Sequence, residues 1–237
     1  MDYISGVSET KSLLDLSEEY DVVLMDTSAF CGPLPKRKGA KLDLLTENRR
    51  ILRYVEEVYG LVGSDLPIFI TSGVFNECTH KGSFPYIKLI KSPYAQCDAD
   101  ERLSLRLKRD TIKRRRQICR TLSDTGRVID IGDKDFHGYG DALETVGYLK
   151  KEGAGYEDLE LLAVSTVLAD DGLSVALLSN DIRHIKRGYL SLLRANPALD
   201  PERFKFYAMV RQGEFYGIEN RFRRRVDSTR EATFISP

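Results

Sequence analysis

Short apolar runs that end on acidic residues constrain the fold of this chain most strongly. The stretch 21–28 contains four apolar residues followed by Asp26, and the stretch 174–181 has an apolar run that leads to Asp181. Runs this short and this apolar are typical of strands buried on both faces in the middle of a parallel sheet. Such sheets bind ligands at the carboxyl ends of their strands. Asp26 and Asp181 are therefore the first candidate site residues.

Two further stretches bring an acid to the same edge of the predicted sheet. Residues 67–77 indicate another buried strand that runs into a helix, with Glu77 about one turn inside it. Residues 156–168 indicate the start of an almost wholly apolar helix, with Asp158 in its first turn. We expect the four acids to converge. An acid followed by hydroxyl residues, as at Asp26, is however also ordinary helix-capping chemistry.

The order of these elements resembles that of the PIN-domain ribonucleases. The resemblance covers most of residues 20–195 and is carried by Asp26, by Glu77 after the next strand, by Asp158 at a helix start and by the run 179–181 after a strand. It implies a three-layer α/β/α domain with a mostly parallel central sheet. It also implies a metal-dependent endoribonuclease that hydrolyses phosphodiester bonds of single-stranded or loop RNA.

The chemistry of the four acids predicts a divalent cation. Carboxylates that share a pocket repel one another, and a cation removes that repulsion. A ligand set of oxygen atoms alone favours Mg²⁺ or Mn²⁺ over Zn²⁺, and the number of ions, one or two, stays open. We expect Asp26 to be the central metal ligand and Asp158 and Asp181 to complete the set. Glu77 is expected to bind the metal or to position the attacking water.

Neighbouring polar groups are expected to support these acids. Hydroxyl and amide side chains beside them would hold the carboxylates by hydrogen bonds; they belong to Thr27, Ser28, Ser179 and Asn180. Glu160 lies on a different helical face from Asp158, so we expect it to meet solvent or a cation. His184 is interpreted as an ordinary surface residue. The positions of four acids in a loop-rich stretch stay open: Asp130, Asp133, Asp135 and Asp141.

A basic helix is predicted over residues 98–124, because this span has no Gly or Pro and Gly126 follows it. Its apolar residues Leu105, Ile112 and Cys119 form a narrow stripe, so we expect a protruding helix within an insertion at about 98–125. Cations that surround the stripe are predicted to bind RNA, unless they form only a solvated surface. With two from the tail, the predicted RNA-binding residues are Arg109, Lys113, Arg114, Arg115, Arg116, Arg120, Arg223 and Arg224.

The spacing of apolar residues in the rest of the chain predicts helices over 9–20, 47–62, 141–151 and 182–193. Two apolar and aromatic runs, 204–210 and 215–218, predict a C-terminal β-hairpin. We therefore expect a PIN-like nuclease domain over 1–200, with the hairpin and a basic tail over 201–237 packed on the same domain. A basic loop over 31–41 follows Asp26 and is expected to be solvated or to touch a bound phosphate.

Composition limits the possible partners and the compartment. Lys plus Arg and Asp plus Glu number 36 each, so the net charge is zero and any surface for RNA must be local. The four cysteines have no metal-ligand or disulfide spacing, which suits a reducing compartment. No run approaches the length of a membrane helix. We expect a cytoplasmic protein with no membrane partner, and the sequence leaves room for a homo-oligomer or a protein partner.

Two other functions are compatible with parts of the pattern. One is an RNA- or protein-binding module with a weak or inactive PIN-like site, which the presence of all four acids disfavours. The other is phosphoryl transfer with Asp26 as the nucleophile. Enzymes of that kind usually carry a second acid two residues later, where this chain has Ser28.

Overall fold

A computed structural model of the chain describes residues 10–31, 44–79, 99–130, 138–211 and 214–217. The helices in these ranges are α1 (Leu13–Glu19), α2 (Thr27–Cys31), α3 (Leu44–Val62), α4 (Ser72–Thr79), α5 (Ala99–Asp124), α6 (Tyr139–Val146), α7 (Tyr156–Asp170) and α8 (Ile185–Ala195). The strands are β1 (Lys11–Ser12), β2 (Val22–Met25), β3 (Ile68–Thr71), β4 (Val128–Ile129), β5 (Val175–Leu178), β6 (Phe204–Arg211) and β7 (Glu214–Gly217). A 3₁₀-helix, Gly147–Glu152, joins α6 to α7.

The strands form one sheet in the order β1-β7-β6-β5-β2-β3-β4. The five strands from β6 to β4 are parallel, and β7 pairs antiparallel with both β6 and β1. From β2 the chain proceeds outward through β3 and β4, and it then returns to add β5 and β6 on the other side. The strand order therefore reverses between β2 and β5, and the crevice at their carboxyl ends is where such sheets bind ligands.

Helices cover both faces of the sheet at its centre. Every residue of β2 and of β5 is buried, although neighbouring side chains in a strand point to opposite faces. The nine residues 159–167 of α7 are also all buried. The predicted α/β fold with a mostly parallel sheet is confirmed, and its packing is compatible with three layers.

Helix α8 packs closely on α7 because Gly188 has no side chain. A Cβ atom at this position would lie 2.2 Å from a methyl group of Leu162 and 3.0 Å from one of Leu149. Both leucines are fully buried. This contact fixes α8 against α7, and the loop between β5 and α8 carries Asp181.

The prediction that the basic helix protrudes is wrong. Helix α5 packs along α3, and Asn48 of α3 donates a hydrogen bond of 2.7 Å to Ser104. The buried side of α5 is broader than the apolar residues alone indicated. It comprises Thr111, Ile112, Arg115, Ile118, Cys119 and Leu122.

The predicted C-terminal hairpin is present and continues the main sheet. Strand β6 pairs in parallel with β5, and β7 pairs with β1 near the amino end of the described chain. Two predicted helices begin later along the chain than expected. Helix α1 begins at Leu13 because Ser12 and Asp15 form a capping box before it, and residues 182–184 form a turn before α8.

None of the helices in the described ranges is both long enough and apolar enough to cross a membrane.

Candidate metal centre

Asp26 lies at the switch point of the sheet, directly after β2. Its backbone N–H donates to the carbonyl of Leu178 at the end of β5, with 2.9 Å between nitrogen and oxygen. Its buried carboxylate accepts hydrogen bonds from the hydroxyl of Ser28 at 2.5 Å and of Ser179 at 2.7 Å. The neighbouring strands β2 and β5 therefore both contribute to holding this acid.

Asn180 connects the loop after β5 to helix α2 and to strand β6. Its backbone N–H donates to the Ser28 hydroxyl oxygen at 2.7 Å, and its side-chain amide donates to the Ser28 carbonyl at 2.9 Å. The amide oxygen accepts from the Met209 N–H of β6 at 3.1 Å. The loop after β5 is thereby fixed relative to Asp26.

Asp158 and Asp181 come together with a histidine. One ligand atom from each of Asp158, Asp181 and His184 lies within 4.8 Å of the other two. Asp158 also accepts from the Gly155 N–H at 2.9 Å, which caps α7. Asp181 accepts from the backbone N–H groups of Arg183 and His184, each at 2.9 Å. Asp158 therefore caps a helix and Asp181 stabilises the turn before α8, in addition to their positions in the cluster.

Glu77 joins the site through α4. Its carboxylate accepts a hydrogen bond of 2.5 Å from the hydroxyl of Thr27, the residue after Asp26. Burial raises the pKa of Glu77, while the Thr27 hydroxyl opposes the shift and the charges of Asp26 and Glu157 add to it. Asp26 and Glu77 therefore lie close enough for their charges to interact.

Burial raises the pKa of two further acids of the site, Asp26 and Asp158. Burial raises the pKa of Asp26, against the stabilising hydrogen bonds of Ser28 and Ser179. The pKa of Asp158 rises to about 6, mainly through burial, and the charges of Asp26 and Asp181 contribute. The ionised forms of these buried acids are disfavoured, as expected for carboxylates that share a pocket without a cation.

The expectation that Glu160 faces solvent or a cation is wrong. Its side chain is only 2% exposed, and its carboxylate accepts from the Ser72 hydroxyl at 2.7 Å and from the Gly73 N–H at 2.9 Å. It therefore ties the start of α4, which carries Glu77, to α7. The sequence held a signal for this, because a helix that is apolar nearly all round leaves a Glu within it no solvent-facing side.

Glu157 is an acid beside the site that the sequence analysis did not single out. Its charge raises the pKa of both Glu77 and Glu160, after the larger effect of burial on each. Glu157 and Glu160 are three residues apart on α7, and this spacing places them on one face. The charge of Asp130 also raises the pKa of Glu160. Asp141 is exposed in the first turn of α6. Asp133 and Asp135 lie outside the described residues.

The interpretation of His184 as an ordinary surface residue is also wrong. Its side chain is 13% exposed, and its Nδ1 atom lies 2.9 Å from Oδ2 of Asp181. Its Nε2 atom lies 3.4 Å from the carbonyl oxygen of Glu152. The sequence signal for this contact is the spacing of three residues between Asp181 and His184 at the predicted start of a helix, since residues with this spacing lie on one face of a helix.

The predicted RNA-binding cations occupy different environments on α5. Arg115 is 5% exposed and is therefore not part of the solvent-facing surface. Arg114 pairs with Glu56 at 2.8 Å and lies over the Tyr59 ring, 4.2 Å from its centre. Arg116 is half-buried, whereas Arg109, Lys113 and Arg120 are exposed. The tail with Arg223 and Arg224, and most of the basic loop over 31–41, lie outside the described residues.

The donor set fits a divalent cation. Among the acids Asp26, Glu77, Asp158 and Asp181, only Asp181 forms an ion pair within the described residues, and its partner is His184. Carboxylate oxygens are the ligands that Mg²⁺ and Mn²⁺ prefer. Asp26 and Glu77 therefore have no ion-pair partner in the described parts of the chain, whereas Asp158 lies near His184, whose charge lowers the pKa of Asp158.

Comparisons with known proteins found no relative: the chain matches no protein-family model, no curated protein and no solved structure.

Proposed function

We propose that this protein is a metal-dependent endoribonuclease of the PIN-domain kind, acting on single-stranded or loop RNA. The observation that carries the proposal is that acids from four separate segments act on one another through their charges near the point where the strand order reverses, and that Asp158 and Asp181 lie close enough together to share an ion. Asp26 follows β2, Asp181 follows β5, and Glu77 and Asp158 come from α4 and α7. Repulsion among these acids destabilises the folded state. A function that requires the acids is therefore the favoured explanation for their positions.

Each acid has a defined part in the proposal. Asp26, Asp158 and Asp181 would hold Mg²⁺ or Mn²⁺, and Glu77 would bind the cation or orient the attacking water. When bound, the cation neutralises the acids and supplies Lewis acidity at a phosphodiester. The hydroxyls of Ser28 and Ser179 hold Asp26 in one rotamer, and the hydroxyl of Thr27 does so for Glu77. These contacts organise the carboxylates in advance of substrate binding.

The exposed cations of α5 support a polyanionic substrate. Arg106, Lys113 and Arg120 are exposed and lie seven residues apart, so they form a row at intervals of about 10 Å along the helix. None of the three has an ion-pair partner among the described residues. The span 106–120 contains eight Lys and Arg residues and the single acid Asp110, so it carries a net positive charge.

The proposal is tested with a labelled single-stranded RNA oligonucleotide and purified protein. We expect internal cleavage in Mn²⁺ or Mg²⁺ and none in EDTA, because only a cation makes the acid cluster competent. A DNA strand of the same sequence and a blunt RNA duplex serve as controls and should be cut more slowly. If the protein binds RNA but no divalent cation supports cleavage, the result contradicts the proposal and favours the binding-module alternative.

The row of cations gives a separate test of substrate binding. Replacing Arg106, Lys113 and Arg120 with Ala should weaken RNA binding and reduce the slope of log affinity against log salt by about 0.7 for each lost phosphate contact. The control keeps the charges, with Arg106→Lys, Lys113→Arg and Arg120→Lys. An unchanged slope in the Ala variant would show that this face of α5 does not contact RNA. Arg114 and Arg115 are unsuitable positions for this test, because replacing them would disturb the packing of α5 on α3.

A further inference from the structure

The imidazole of His184 is held in one orientation by groups on both sides of the ring. Nε2 lies 3.4 Å from the carbonyl oxygen of Glu152, and Nδ1 lies 2.9 Å from Oδ2 of Asp181. The backbone N–H of His184 donates to the other oxygen of Asp181 at 2.9 Å. Arg187, one turn further along α8, forms an ion pair with the Glu152 side chain, which fixes the 3₁₀-helix beside the ring.

The two ring contacts determine what Nδ1 presents to the site. A carbonyl oxygen only accepts hydrogen bonds, so the Glu152 contact places a hydrogen on Nε2. In the neutral ring the lone pair is then on Nδ1, where it faces a carboxylate oxygen that also only accepts. At 2.9 Å these two atoms are joined either by a proton on Nδ1 or by a cation that binds both of them. Metal-bound histidines commonly show this arrangement, with the other ring N–H on a backbone carbonyl.

The distances suit a single ion. Metal–ligand bonds of about 2.1 Å at right angles place neighbouring ligand atoms about 3 Å apart. The separation of Nδ1 from Oδ2 of Asp181 is 2.9 Å, and one ligand atom from each of Asp158, Asp181 and His184 lies within 4.8 Å of the other two. Asp158, Asp181 and His184 thus present two oxygens and one nitrogen to a common point.

We propose that His184 is a metal ligand, so that the site binds its cation through a mixed nitrogen and oxygen set and prefers Mn²⁺ to Mg²⁺. Imidazole binds transition metals well, whereas Mg²⁺ strongly favours oxygen ligands. The proposal rests on the cation site of the proposed function, but it concerns the identity of a ligand and not RNA cleavage.

The test is pulsed electron paramagnetic resonance of Mn²⁺ bound to the tag-free full chain. The chain has three histidines, so His80→Gln together with His137→Gln leaves His184 as the only imidazole. In this background, produced with ¹⁵N-labelled histidine, we expect a ¹⁵N coupling to bound Mn²⁺. Adding His184→Gln should abolish the coupling and raise the Kd for Mn²⁺ by roughly tenfold or more, with a smaller change for Mg²⁺.

The outcomes separate this inference from the proposed function. Bound Mn²⁺ without histidine coupling in the background protein would overturn the inference and leave the nuclease proposal standing. Histidine coupling in a protein that cleaves no RNA would support the inference and contradict the nuclease proposal. Absence of Mn²⁺ binding by the wild-type protein would overturn both. Because the coupling is measured in the background protein, the result does not depend on whether the His184→Gln variant folds.

Discussion

Asp26→Asn is expected to reduce metal-dependent RNA cleavage by roughly 100-fold or more, because even the partners of metal ligands change activity by 10–100-fold. The amide has nearly the shape of the carboxylate, so the hydroxyls of Ser28 and Ser179 keep an acceptor. Loss of activity would therefore report the lost charge. The measurement is the initial cleavage rate of an RNA oligonucleotide at saturating Mn²⁺, with folding checked by circular dichroism.

The same substitution should also stabilise the metal-free protein at neutral pH. Burial raises the folded-state pKa of Asp26 above its unfolded value. A carboxyl group of this kind lowers the free energy of unfolding at pH values above the folded pKa, and the penalty fades as pH falls toward the unfolded value. We expect the Asn variant to melt at a higher temperature than the wild type in EDTA at pH 7.

The chain contains a matched control at the other end of the same strand. Asp21 precedes β2, is exposed, and accepts from the N–H of Ser174 at 2.8 Å and from its hydroxyl at 2.7 Å. These bonds lower the pKa of Asp21, so its carboxylate contributes stability at neutral pH that is lost in acid. Asp21→Asn should lower the melting temperature at pH 7 and leave RNA cleavage unchanged. Equal activity in the Asp26 and Asp21 variants would contradict the proposed site.

Asp158→Asn is expected to increase the stability of the metal-free protein at pH 7 by about 2 kcal/mol. The folded-state pKa of Asp158 is about 6, against an ordinary value of 3.8. A shift of about two units corresponds to about 3 kcal/mol, and solvent screening of this partly exposed group reduces the expected effect. The Asn side chain retains an oxygen for the Gly155 N–H, so the cap of α7 is preserved.

The pH dependence identifies the cause of that gain. Because the folded state binds this proton more tightly than the unfolded state, the wild-type protein should lose stability as pH rises from about 4 to about 6. The loss attributable to Asp158 should be absent in the Asn variant. Denaturant unfolding in EDTA at pH 4, 5, 6 and 7 measures the difference. A difference between the two proteins that is the same at all four pH values would exclude the raised pKa of Asp158 as its cause.

Two further measurements separate ligand binding from capping at Asp158. Asp158→Ala removes the bond to Gly155 as well as the charge, so it should gain less stability than Asn by about 1 kcal/mol. Adding Mn²⁺ should raise the melting temperature of the wild type more than that of either variant, since a lost ligand weakens binding to the folded state. Equal increases in all three proteins would remove Asp158 from the metal site.

The sequence by itself determined the central strands and the placement of acids after them. β2 and β5 were predictable because each is a short apolar run bounded by polar residues, and burial of both faces leaves such a run few alternatives. Asp26 and Asp181 follow from the same pattern, since a parallel sheet brings all its carboxyl ends to one edge. These inferences depend only on neighbours along the chain.

Only the tertiary structure decided which surfaces are buried and which acids interact. The stripe on α5 was judged too narrow because only Leu105, Ile112 and Cys119 were counted. The buried side of the helix also comprises Thr111, Arg115, Ile118 and Leu122. Glu160 is buried because α4 supplies two donors from almost ninety residues away. β1 pairs with β7 although about two hundred residues separate them. Contacts between such distant segments depend on how whole elements pack, and local periodicity carries no information about the partner.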